Sequence, residues 1–422
     1  MAKIGVVGAG YVGLTSAVCF AELGHDVIAL DVDAKKITQL QNGSIPIYEP
    51  GLEDLLNKNI QNKKIYFEIE VSKLNDCDYV FLCVPTPQDT DGAADLSYVL
   101  KAVRTLSKIL KKNSILVTKS TVPVNSWKSI ELTLNRVDVD IVSNPEFLRE
   151  GSAISDFFNP DRIVVGCKNI DSAIKVAKLY KNELAEVIST DNTSAELIKY
   201  ASNSFLALKL SFVNELAALC ENVQANVIDV LKGFGKDQRI GEHFISPGPG
   251  WGGSCFPKDV KALNIISEQN LSAMSLLSAT IESNQKTLKR IVDKIERILD
   301  NNLVEKKIAL LGLAFKANTD DVRESPAIAI AERLSDRGAK VCAFDPKVKT
   351  LVNEKIIIAK DLDECISDSE IIVLLTEWHE FKDINPETIS NKLKNKVIFD
   401  TRNLLNKDLW EKSGFLFFGN GR

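Results

Sequence analysis

The chain begins with short runs of β-branched and other apolar residues that alternate with longer amphipathic stretches. Such runs occupy residues 4–7, 27–30, 79–84, 115–118 and 163–166. Each run has the length of a strand, and the stretches between them have the period of helices that pack on a sheet. The alternation predicts a parallel sheet with crossover helices over roughly the first 190 residues.

The pattern becomes helical after residue 192. Thr193 and Glu196 have the spacing of a capping box, and apolar residues follow at positions 201, 205, 208, 212, 216 and 219. Steps of three and four predict one long helix. Helical patterning resumes after the glycine-rich loop 248–253 and continues to about residue 299, where the Asp-Asn-Asn sequence of residues 300–302 interrupts it.

A second α/β region begins beyond this break and repeats the first. Residues 306–312 repeat the pattern of residues 3–8, residues 340–345 repeat residues 26–31, and residues 368–378 echo residues 76–87. Three repeats in the same order predict a second sheet of the same kind. The predicted fold class is α/β, with two Rossmann-like parallel-sheet domains joined by a central helical domain that contains a long connecting helix. The predicted domain boundaries are 1–192, 193–300 and 301–422.

The composition is that of a folded globular protein, and it narrows the choice of partners. The 422 residues are 45% apolar and 26% charged, which is close to the globular average and leaves room for several domains. With 52 basic and 57 acidic residues the formal net charge is -5, so no global positive field attracts nucleic acid or an anionic membrane. The apolar helical stretches are shorter than the ~20 uncharged residues of a membrane span. We therefore expect neither nucleic acid nor a membrane as a partner.

Cysteine and histidine usage indicates the compartment and the metal content. The eight cysteines are scattered without a CxxC pair, and the three histidines stand at positions 25, 243 and 379. Scattered cysteines in a long chain favour reduced thiols over disulfides or zinc, and the histidines exclude an HExxH metalloprotease site. The chain starts directly on a strand-like run, without the charged and apolar regions of a signal peptide. We expect a cytoplasmic protein without a metal site.

A glycine-rich turn follows the first run and precedes an apolar helical stretch. Gly8, Gly10 and Gly13 form a GxGxxG pattern, and Asp31 lies eighteen residues past Gly13 at the end of the second run. The glycines permit a tight turn whose backbone amides approach a pyrophosphate, and the carboxylate can accept hydrogen bonds from ribose hydroxyls. The same carboxylate repels a 2′-phosphate, so the pattern favours NAD over NADP, although two lysines that follow it could offset this effect. The alternative is a strand-turn-helix corner without a ligand.

One cysteine follows a loop that has almost no side chains. Residues 248–259 read Gly-Pro-Gly-Trp-Gly-Gly-Ser-Cys-Phe-Pro-Lys-Asp, with Cys255 directly after the glycine-rich part. A substrate can approach the backbone closely at such a loop. Because a free thiol has a pKa of ~8.5, a nucleophilic Cys255 needs a nearby positive charge, which Lys258 or Lys199 could supply. The alternative is a glycine-rich connector with a buried cysteine.

Other polar residues have spacings that suit a site, and each also has an ordinary structural explanation. Lys199 and Asn203 project from one face of the predicted long helix, as residues of a solvated face also do. Glu146 and Glu150 could transfer protons or position water, or could form a charged turn.

Two further groups lie where α/β sheets usually bind ligands. Residues 119–121, Lys-Ser-Thr, end a predicted strand, and ligand groups collect at that edge of a sheet. Lys316, Arg323 and Arg402 occur in the second sheet region, where phosphate is the natural partner of such cations. Each of these residues alone is also explained as a surface charge.

Taken together, these motifs resemble the UDP-glucose 6-dehydrogenase family of nucleotide-sugar dehydrogenases. The matches extend from about residue 3 to residues 419–422, so they cover almost the whole chain. The most specific are residues 250–259, residues 144–151, and Phe315 and Lys316 together with residues 321–325.

The resemblance implies an architecture and a reaction. It implies an NAD-binding first domain, a central helical domain that forms a homodimer, and a last domain that closes over uridine diphosphate. The reaction is a four-electron oxidation of UDP-glucose to UDP-glucuronate in which two NAD are reduced in turn. Cys255 would capture the aldehyde as a thiohemiacetal, from which a second oxidation gives a thioester that water releases. Oxidation of an aldehyde by hydride transfer requires such a tetrahedral adduct in any case.

The resemblance also implies roles for individual residues. Lys199, assisted by Asn203, would stabilise oxyanions, a contribution of ~3 kcal/mol for each well-placed donor. Asp259 and Thr121, through a water, would handle the proton, and Glu146 and Glu150 would assist thioester hydrolysis. With the glycines of the turn, the implied NAD contacts are Gly8, Gly10, Tyr11, Val12, Gly13, Asp31, Lys36, Thr86, Thr121, Glu150, Lys258 and Arg323. The implied substrate contacts are Glu146, Phe147, Leu148, Arg149, Glu150, Lys199, Asn203, Arg239, Phe244, Ile245, Ser246, Pro247, Gly248, Gly252, Lys316 and Arg402, with Arg239 reaching the neighbouring subunit's site.

Several alternatives remain open. The Val-Pro-Thr-Pro sequence of residues 84–87 is similar to dehydrogenases for UDP-N-acetylhexosamines, whereas residues 91–99 and 144–148 resemble the UDP-glucose branch. A GDP-mannose or UDP-N-acetylhexosamine 6-dehydrogenase would use the same mechanism. A two-electron β-hydroxyacid dehydrogenase also combines the glycine turn with a Lys-x-x-x-Asn helix, but Cys255 and the second α/β region argue against it. A catalytically silent NAD-sensing protein is the alternative from another class.

Overall fold

The computed structural model describes residues 1–88 and 94–422. Residues 91–93, which begin one of the segments that resemble the UDP-glucose branch, therefore lie outside the described residues. The chain divides into two compact units, Met1–Ser202 and Asn203–Arg422. The three predicted domain boundaries stay a prediction.

The first unit is built on an eight-stranded sheet in the order β3-β2-β1-β4-β5-β6-β7-β8. Its strands are β1 (Lys3–Val7), β2 (Asp26–Leu30), β3 (Ile65–Glu68), β4 (Tyr79–Leu82), β5 (Ile115–Thr118), β6 (Asp140–Ser143), β7 (Arg162–Gly166) and β8 (Glu186–Thr190). All neighbours are parallel except the antiparallel pair β6 and β7. The strand order reverses between β1 and β4, and in doubly wound sheets ligands bind at that switch point.

The helices of this unit cover the sheet. They are α1 (Tyr11–Glu22), α2 (Ala34–Gln41), α3 (Leu52–Gln61), α4 (Ser97–Leu106), α5 (Ser126–Leu134), α6 (Ala153–Phe158) and α7 (Ile170–Lys178), with a short 3-10 turn at Val71–Leu74. The apolar strand residues and the inner helix faces form two buried clusters, one of which contains Val6 and Phe20 and the other Val80 and Val103. The long helix α8 (Asn192–Val223) begins here and continues into the second unit.

The second unit contains a six-stranded sheet in the order β11-β10-β9-β12-β13-β14. Its strands are β9 (Lys307–Leu311), β10 (Lys340–Phe344), β11 (Ile356–Ile358), β12 (Ile371–Leu374), β13 (Val397–Asp400) and β14 (Leu416–Gly419), and every pairing is parallel. Its helices after α8 are α9 (Val227–Gly235), α10 (Phe256–Gln269), α11 (Ser275–Ile298), α12 (Pro326–Asp336), α13 (Leu362–Ile366), α14 (His379–Lys382), α15 (Pro386–Ile389) and α16 (Lys407–Lys412), with a 3-10 turn at Ser390–Lys392.

The predicted fold class is confirmed. The order of β9 to β14 in their sheet is the order of β1 to β6 in theirs, as the three sequence repeats predict. The predicted long helix is α8, and the predicted helical stretch before residue 299 consists of α10 and α11, separated at residues 270–274. Across the two described ranges, none of the helices is long and apolar enough to cross a membrane.

Candidate active site

The glycine-rich turn connects β1 to α1 at the switch point of the first sheet. Gly8 has a φ of +99°, and a Cβ atom there would lie 2.5 Å from the carbonyl oxygen of Cys83. A Cβ on Gly13 would lie 1.8 Å from the carbonyl oxygen of Gly8, whereas one on Gly10 would meet nothing within 4 Å. Packing therefore requires Gly8 and Gly13, while Gly10 leaves open space at the amino terminus of α1. A pyrophosphate fits there, because the first amides of a helix have no intrahelical acceptor.

Asp31 directly follows β2 and lies beside this turn. Its carboxylate accepts hydrogen bonds from Ala9 N at 2.9 Å, Asp33 N at 3.0 Å and the Lys36 Nζ at 3.0 Å. Burial would raise the pKa of Asp31, but these hydrogen bonds outweigh it, and the pKa lies below its ordinary value. The side chain is thus a fixed carboxylate that the predicted NAD residue Lys36 accompanies. A carboxylate acceptor with an ammonium group beside it suits a ribose with free hydroxyls.

Glu49 is a buried carboxylate that sequence reasoning missed. It accepts hydrogen bonds from the Tyr11 hydroxyl, from Gly151 N at 2.6 Å and from Ala153 N at 2.8 Å. Burial and then Glu49 raise the pKa of Tyr11, so the phenol stays protonated and acts as a donor. Glu49 therefore connects two segments by hydrogen bonds: the turn that contains Tyr11 and the backbone that follows Glu150. Its signal could not be read locally, because the partners lie 38 and about 100 residues away along the chain.

Glu146 and Lys199 form a buried ion pair in the first unit. Lys199 Nζ lies 2.8 Å from Glu146 Oε1, and both side chains are at most 5% exposed. Glu146 Oε2 also accepts a hydrogen bond from Leu148 N at 2.7 Å. Burial would raise the pKa of Glu146, but the positive charges of Lys199 and Lys119 outweigh it and keep the pKa below its ordinary value. The structure thus brings two predicted catalytic residues into direct contact.

Aromatic and hydroxyl side chains surround this ion pair. The ring centroid of Phe147 lies 5.4 Å from Lys199 Nζ and 3.7 Å from the Arg162 guanidinium carbon. Thr121 and Lys199 line one small pocket. Thr86 and Thr121, both predicted NAD contacts, are joined by a hydrogen bond of 2.8 Å from Thr86 Oγ1 to the Thr121 carbonyl oxygen.

The capping-box interpretation of Glu196 is wrong. Its carboxyl group accepts hydrogen bonds from Asn125 N at 2.7 Å and Trp127 N at 3.0 Å, so it caps α5 instead of its own helix. Asp191 accepts from Ser194 N at 2.9 Å and caps α8 in its place. The reason is tertiary: the start of α5 presents its free amides to the first turn of α8.

Cys255 lies at the amino terminus of α10 in the second unit. The thiol is partly exposed, and its Sγ lies 3.6 Å from the Ser254 hydroxyl. A helix amino terminus favours a thiolate over a thiol. Asp259 N donates to the Cys255 carbonyl oxygen at 2.9 Å, so the predicted nucleophile and the predicted proton carrier share the first turn of one helix.

Asp259 is held by two of the other predicted residues. Asn203 Nδ2 donates to Asp259 Oδ2 at 2.6 Å, and Lys258 Nζ forms an ion pair with Asp259 Oδ1. Asn203 and Asp259 are buried. The second unit thus places Asn203, Cys255, Lys258 and Asp259 in one group.

Close packing explains most of the glycines in the loop before Cys255. A Cβ on Gly252 would lie 2.0 Å from the Glu324 carbonyl oxygen, and a Cβ on Gly248 would lie 2.8 Å from an Arg402 guanidinium nitrogen. The loop is fastened by Trp251, whose Nε1 donates to Ser211 Oγ at 2.9 Å. The predicted substrate residue Arg402 thereby lies against the predicted substrate residue Gly248, after β13 at the ligand-binding edge of the second sheet.

The predicted substrate residues 244–247, which precede this loop, differ in how accessible they are to a ligand. The Ile245 side chain packs in a core cluster with Val213 and Leu231, so only its backbone is available to a ligand. Phe244 has a φ of +64° and is 39% exposed, Ser246 is exposed, and Pro247 is buried. Lys316 Nζ lies 5.8 Å from the centroid of the Phe315 ring.

Three predicted arginines are exposed and paired with an acidic neighbour close in sequence. Arg149 pairs with Asp156, Arg239 with Asp237 and Arg323 with Asp321. Their side chains are 67%, 88% and 65% exposed. Their ion-pair partners, Asp156, Asp237 and Asp321, belong to neither group described above.

The fold and these groups define a class of protein. A doubly wound sheet with a dinucleotide turn, and a thiol with a buried carboxylate on the first turn of a helix, are the features of an NAD-dependent oxidoreductase. Models of the UDP-glucose/GDP-mannose dehydrogenase family match in all three parts: the NAD binding domain over residues 2–184, the central domain over residues 193–286 and the UDP binding domain over residues 309–407. The chain belongs to this family.

Individual relatives agree with this assignment. The chain is 42% identical to a UDP-glucose 6-dehydrogenase of Rhizobium meliloti over 100% of its own length and 99% of the relative. Its fold is similar to that of a UDP-glucose dehydrogenase from Pyrobaculum islandicum, with a TM-score of 0.91, 35% identity and coverage of 100% and 98% of the two chains. A UDP-D-ManNAc dehydrogenase from Pyrococcus horikoshii is also similar, with a TM-score of 0.87, 27% identity and coverage of 100% and 99%.

Proposed function

We propose that the protein oxidises the C6 alcohol of UDP-glucose to the carboxylate of UDP-glucuronate. The balanced reaction converts one alcohol, two NAD⁺ and one water into one carboxylate, two NADH and three protons. When bound, NAD accepts a hydride from the sugar carbon in each of the two oxidations. The observation that carries the proposal is the partly exposed Cys255 on the same helical turn as the buried Asp259.

The first oxidation requires a base and a stabilised oxygen. Asp259, with Thr121 and a water, takes the hydroxyl proton from the alcohol. Lys199, with Asn203, stabilises the negative charge that develops on the sugar oxygen, and one well-placed donor of this kind contributes ~3 kcal/mol.

The second oxidation requires the thiol. The Cys255 thiolate adds to the carbon of the aldehyde, and the resulting thiohemiacetal keeps that reactive intermediate on the protein. Loss of a second hydride gives a thioester. Water, positioned by Glu146 and Glu150, then cleaves the bond between carbon and sulfur, which releases the acid and returns the thiol.

A UDP-N-acetylhexosamine is the second candidate substrate. The Pro-containing sequence of residues 84–87 and the fold similarity to the UDP-D-ManNAc dehydrogenase of Pyrococcus horikoshii favour it. The 42% identity to a UDP-glucose 6-dehydrogenase over the full chain favours UDP-glucose.

The first experiment counts NADH. Purified protein is mixed with excess NAD and limiting UDP-glucose, the reaction is run to completion, and the absorbance of NADH is divided by the sugar added. We expect two NADH for each sugar. One NADH for each sugar would indicate a two-electron enzyme, and none would indicate another nucleotide sugar, which the same assay with UDP-N-acetylhexosamines and GDP-mannose identifies.

The second experiment tests the covalent step. Cys255→Ala should bind NAD and UDP-glucose with wild-type affinity by calorimetry but form no acid in steady state. The matched control is Cys167→Ala, which removes the other partly exposed thiol and should leave turnover unchanged. Wild-type turnover in Cys255→Ala would refute the role of the thiol.

The working form that we propose is a homodimer in the cytoplasm, without nucleic acid as a partner. Four apolar residues on α8, Phe205, Phe212, Leu219 and Val223, are 51–62% exposed in the single chain. Their spacing of 7, 7 and 4 keeps them on one face of the helix, and an apolar face of this kind marks an interaction surface. The free cysteines and the formal net charge of -5 support the compartment and the absence of nucleic acid,.

A further inference from the structure

Lys119 is a buried cation that the mechanism above does not use. It follows β5 directly and is 3% exposed. Burial of a lysine is costly unless its ammonium group is compensated. Its position at the carboxyl edge of the sheet, where the first unit holds its candidate catalytic residues, therefore requires an explanation.

A chain of hydrogen bonds leads from Lys119 to the segment of Glu146. Lys119 Nζ donates to the Tyr180 hydroxyl oxygen at 2.9 Å, and the Tyr180 hydroxyl donates to Asn144 Oδ1 at 2.6 Å. Asn144 Nδ2 in turn donates to the carbonyl oxygen of Val164 at 2.8 Å. Asn144 is the second residue before Glu146, so this chain fixes the backbone from which Glu146 reaches Lys199.

Lys119 also changes the charge of the group. The Glu146–Lys199 pair is neutral as a unit, and a neutral pair exerts only a weak field on a substrate oxygen. Lys119 supplies a further positive charge, so these three buried side chains together carry a net charge of +1. The Cys83 thiol also interacts with Glu146, but burial raises the pKa of Cys83 to about 12, which leaves the thiol uncharged.

We propose that Lys119 is a positioning residue for the oxidation: through Tyr180 and Asn144 it holds the segment of Glu146, and its charge offsets that of Glu146, so that the group around Lys199 keeps the net positive charge that stabilises an oxyanion. The inference deepens the proposed function and rests on it. Lys119 itself acts through Glu146 and Lys199.

Three variants separate the charge from the hydrogen bonds. Lys119→Met removes both, Lys119→Arg keeps the charge, and Tyr180→Phe keeps the charge but removes the hydroxyl that links Lys119 to Asn144. The matched control is Lys111→Met, which removes a lysine that precedes β5 and pairs with Asp78 at 2.6 Å. For each variant we measure kcat and KM for UDP-glucose, the pH dependence of kcat, and thermal unfolding.

We expect kcat to fall at least tenfold in Lys119→Met, with a smaller change in KM. Without the positive charge of Lys119, protonation of Glu146 occurs at higher pH, so the acid side of the kcat profile should move upward by a measurable fraction of a pH unit or more. Lys119→Arg and Tyr180→Phe should keep the wild-type position of that acid side, and Tyr180→Phe should still lose severalfold in kcat. Lys111→Met should have the wild-type kcat and the wild-type position of the acid side.

A fall in kcat without a shift of the acid side in Lys119→Met would overturn the charge role and leave only the role of Lys119 in holding the Glu146 segment. If Lys119→Met does not fold, Tyr180→Phe decides the positioning role, and wild-type kcat in that variant overturns it. The wild-type NADH count in the same assay separates these outcomes from a failure of the proposed function. If another nucleotide sugar is the substrate, the comparison is made with that sugar.

Discussion

At the scale of single residues, the candidate site depends on charges that are buried and compensated. Glu146 and Lys199 contact each other in an environment that excludes water almost completely. Transfer of either charge alone into such an environment is costly, and the attraction between the two charges offsets most of that cost. A pair of this kind contributes little net stability, but the removal of one member leaves the other charge buried without its ion-pair partner.

A double-mutant cycle tests this argument. Glu146→Gln and Lys199→Met should each lower the free energy of unfolding by about 3–5 kcal/mol, and the double variant should lose clearly less than the sum. The measurement is urea unfolding of the four proteins. The control is the exposed pair Lys168–Glu131, whose single variants should each change stability by at most about 1 kcal/mol. Additive losses at Glu146 and Lys199 would contradict the assigned ion pair.

At the scale of secondary-structure elements, Glu196 joins α8 to α5 through a buried carboxyl group. Burial raises the pKa of Glu196 to about 8, above the value of about 4.3 expected in an unfolded chain. The folded protein therefore holds a proton between these values that the unfolded chain has released. The contribution of this group to stability is complete below about pH 4.3 and is lost as the pH rises through 8, by up to about 1.4 kcal/mol for each pH unit.

Glu196→Gln should remove this pH dependence. We expect the free energy of unfolding of the wild type to fall more steeply between pH 5 and pH 8 than that of the variant, as measured by urea unfolding at both pH values. Glu131→Gln, a change on the exposed surface of α5, should keep the wild-type slope. Equal slopes for the wild type and Glu196→Gln would show that Glu196 stays ionised throughout.

The two sheets use the same strand order but treat one acidic position differently. Asp31 follows β2 beside the glycine turn, and Asp345 follows β10 at the equivalent place. α1 begins three residues after Gly8, whereas the loop 312–325 separates β9 from α12. Asp345 is 1% exposed and accepts hydrogen bonds from Leu313 N at 2.8 Å and Ala314 N at 3.0 Å. Both carboxylates therefore accept backbone hydrogen bonds in their own loops, and we predict that Asp31 alone also contacts a ligand.

The paired variants Asp31→Asn and Asp345→Asn should separate these uses. Asp31→Asn should weaken NAD binding about tenfold or more, because a hydrogen bond to a charged group contributes roughly 1.5–3 kcal/mol. Asp345→Asn should leave NAD affinity unchanged and lower the free energy of unfolding by about 1–3 kcal/mol, because one of its amide donors loses its acceptor. Calorimetry with NAD and urea unfolding measure the two effects. An unchanged dissociation constant in Asp31→Asn would refute the ribose assignment.

Part of the fold and part of the candidate site could be predicted from the sequence. Five apolar runs predict β1, β2, β4, β5 and β7. The strands β3 and β8 are missed because they lie at the two edges of the first sheet, and edge strands need no continuous apolar run,. The internal strand β6 is missed because it contains only two consecutive apolar residues, Ile141 and Val142. Cys255, Lys258 and Asp259 are local in sequence and could be recognised from their motif, whereas Asn203 lies 56 positions before its partner Asp259. Contacts such as Glu49 with Gly151, or Lys119 with Tyr180, join residues 102 and 61 positions apart. No local spacing encodes them.

At the scale of the whole molecule, the second part of α8 has an unusual distribution of buried positions. Its buried side includes Asn203, Ser211 and Asn214, and these hold Asp259, Trp251 and the Gly248 amide by hydrogen bonds. Of its large apolar side chains, Phe205, Phe212 and Leu219 are exposed instead. The periodicity therefore predicts the helix correctly, but the apolar side is not the side that faces the core of the single chain.

This distribution predicts the effect of a charge on the apolar side. Phe212→Glu should convert the proposed dimer into a monomer, because burial of an unpaired carboxylate in an apolar interface is strongly unfavourable. Sedimentation equilibrium at several protein concentrations measures the change. Leu184→Glu, at a 98% exposed residue of the first unit, should leave the mass unchanged. A wild-type protein that sediments as a monomer would refute the dimer itself.

The distribution of thiols has a practical consequence for folding studies. Six of the eight cysteines are buried, and only Cys167 and Cys255 are partly exposed. A charged thiol reagent should therefore titrate about two groups in the native protein and all eight after denaturation, so the stoichiometry of labelling reports the unfolded fraction without an engineered probe. With Cys167→Ser, the one accessible thiol left is Cys255, and a fluorophore attached there would act as a spectroscopic reporter at the amino terminus of α10.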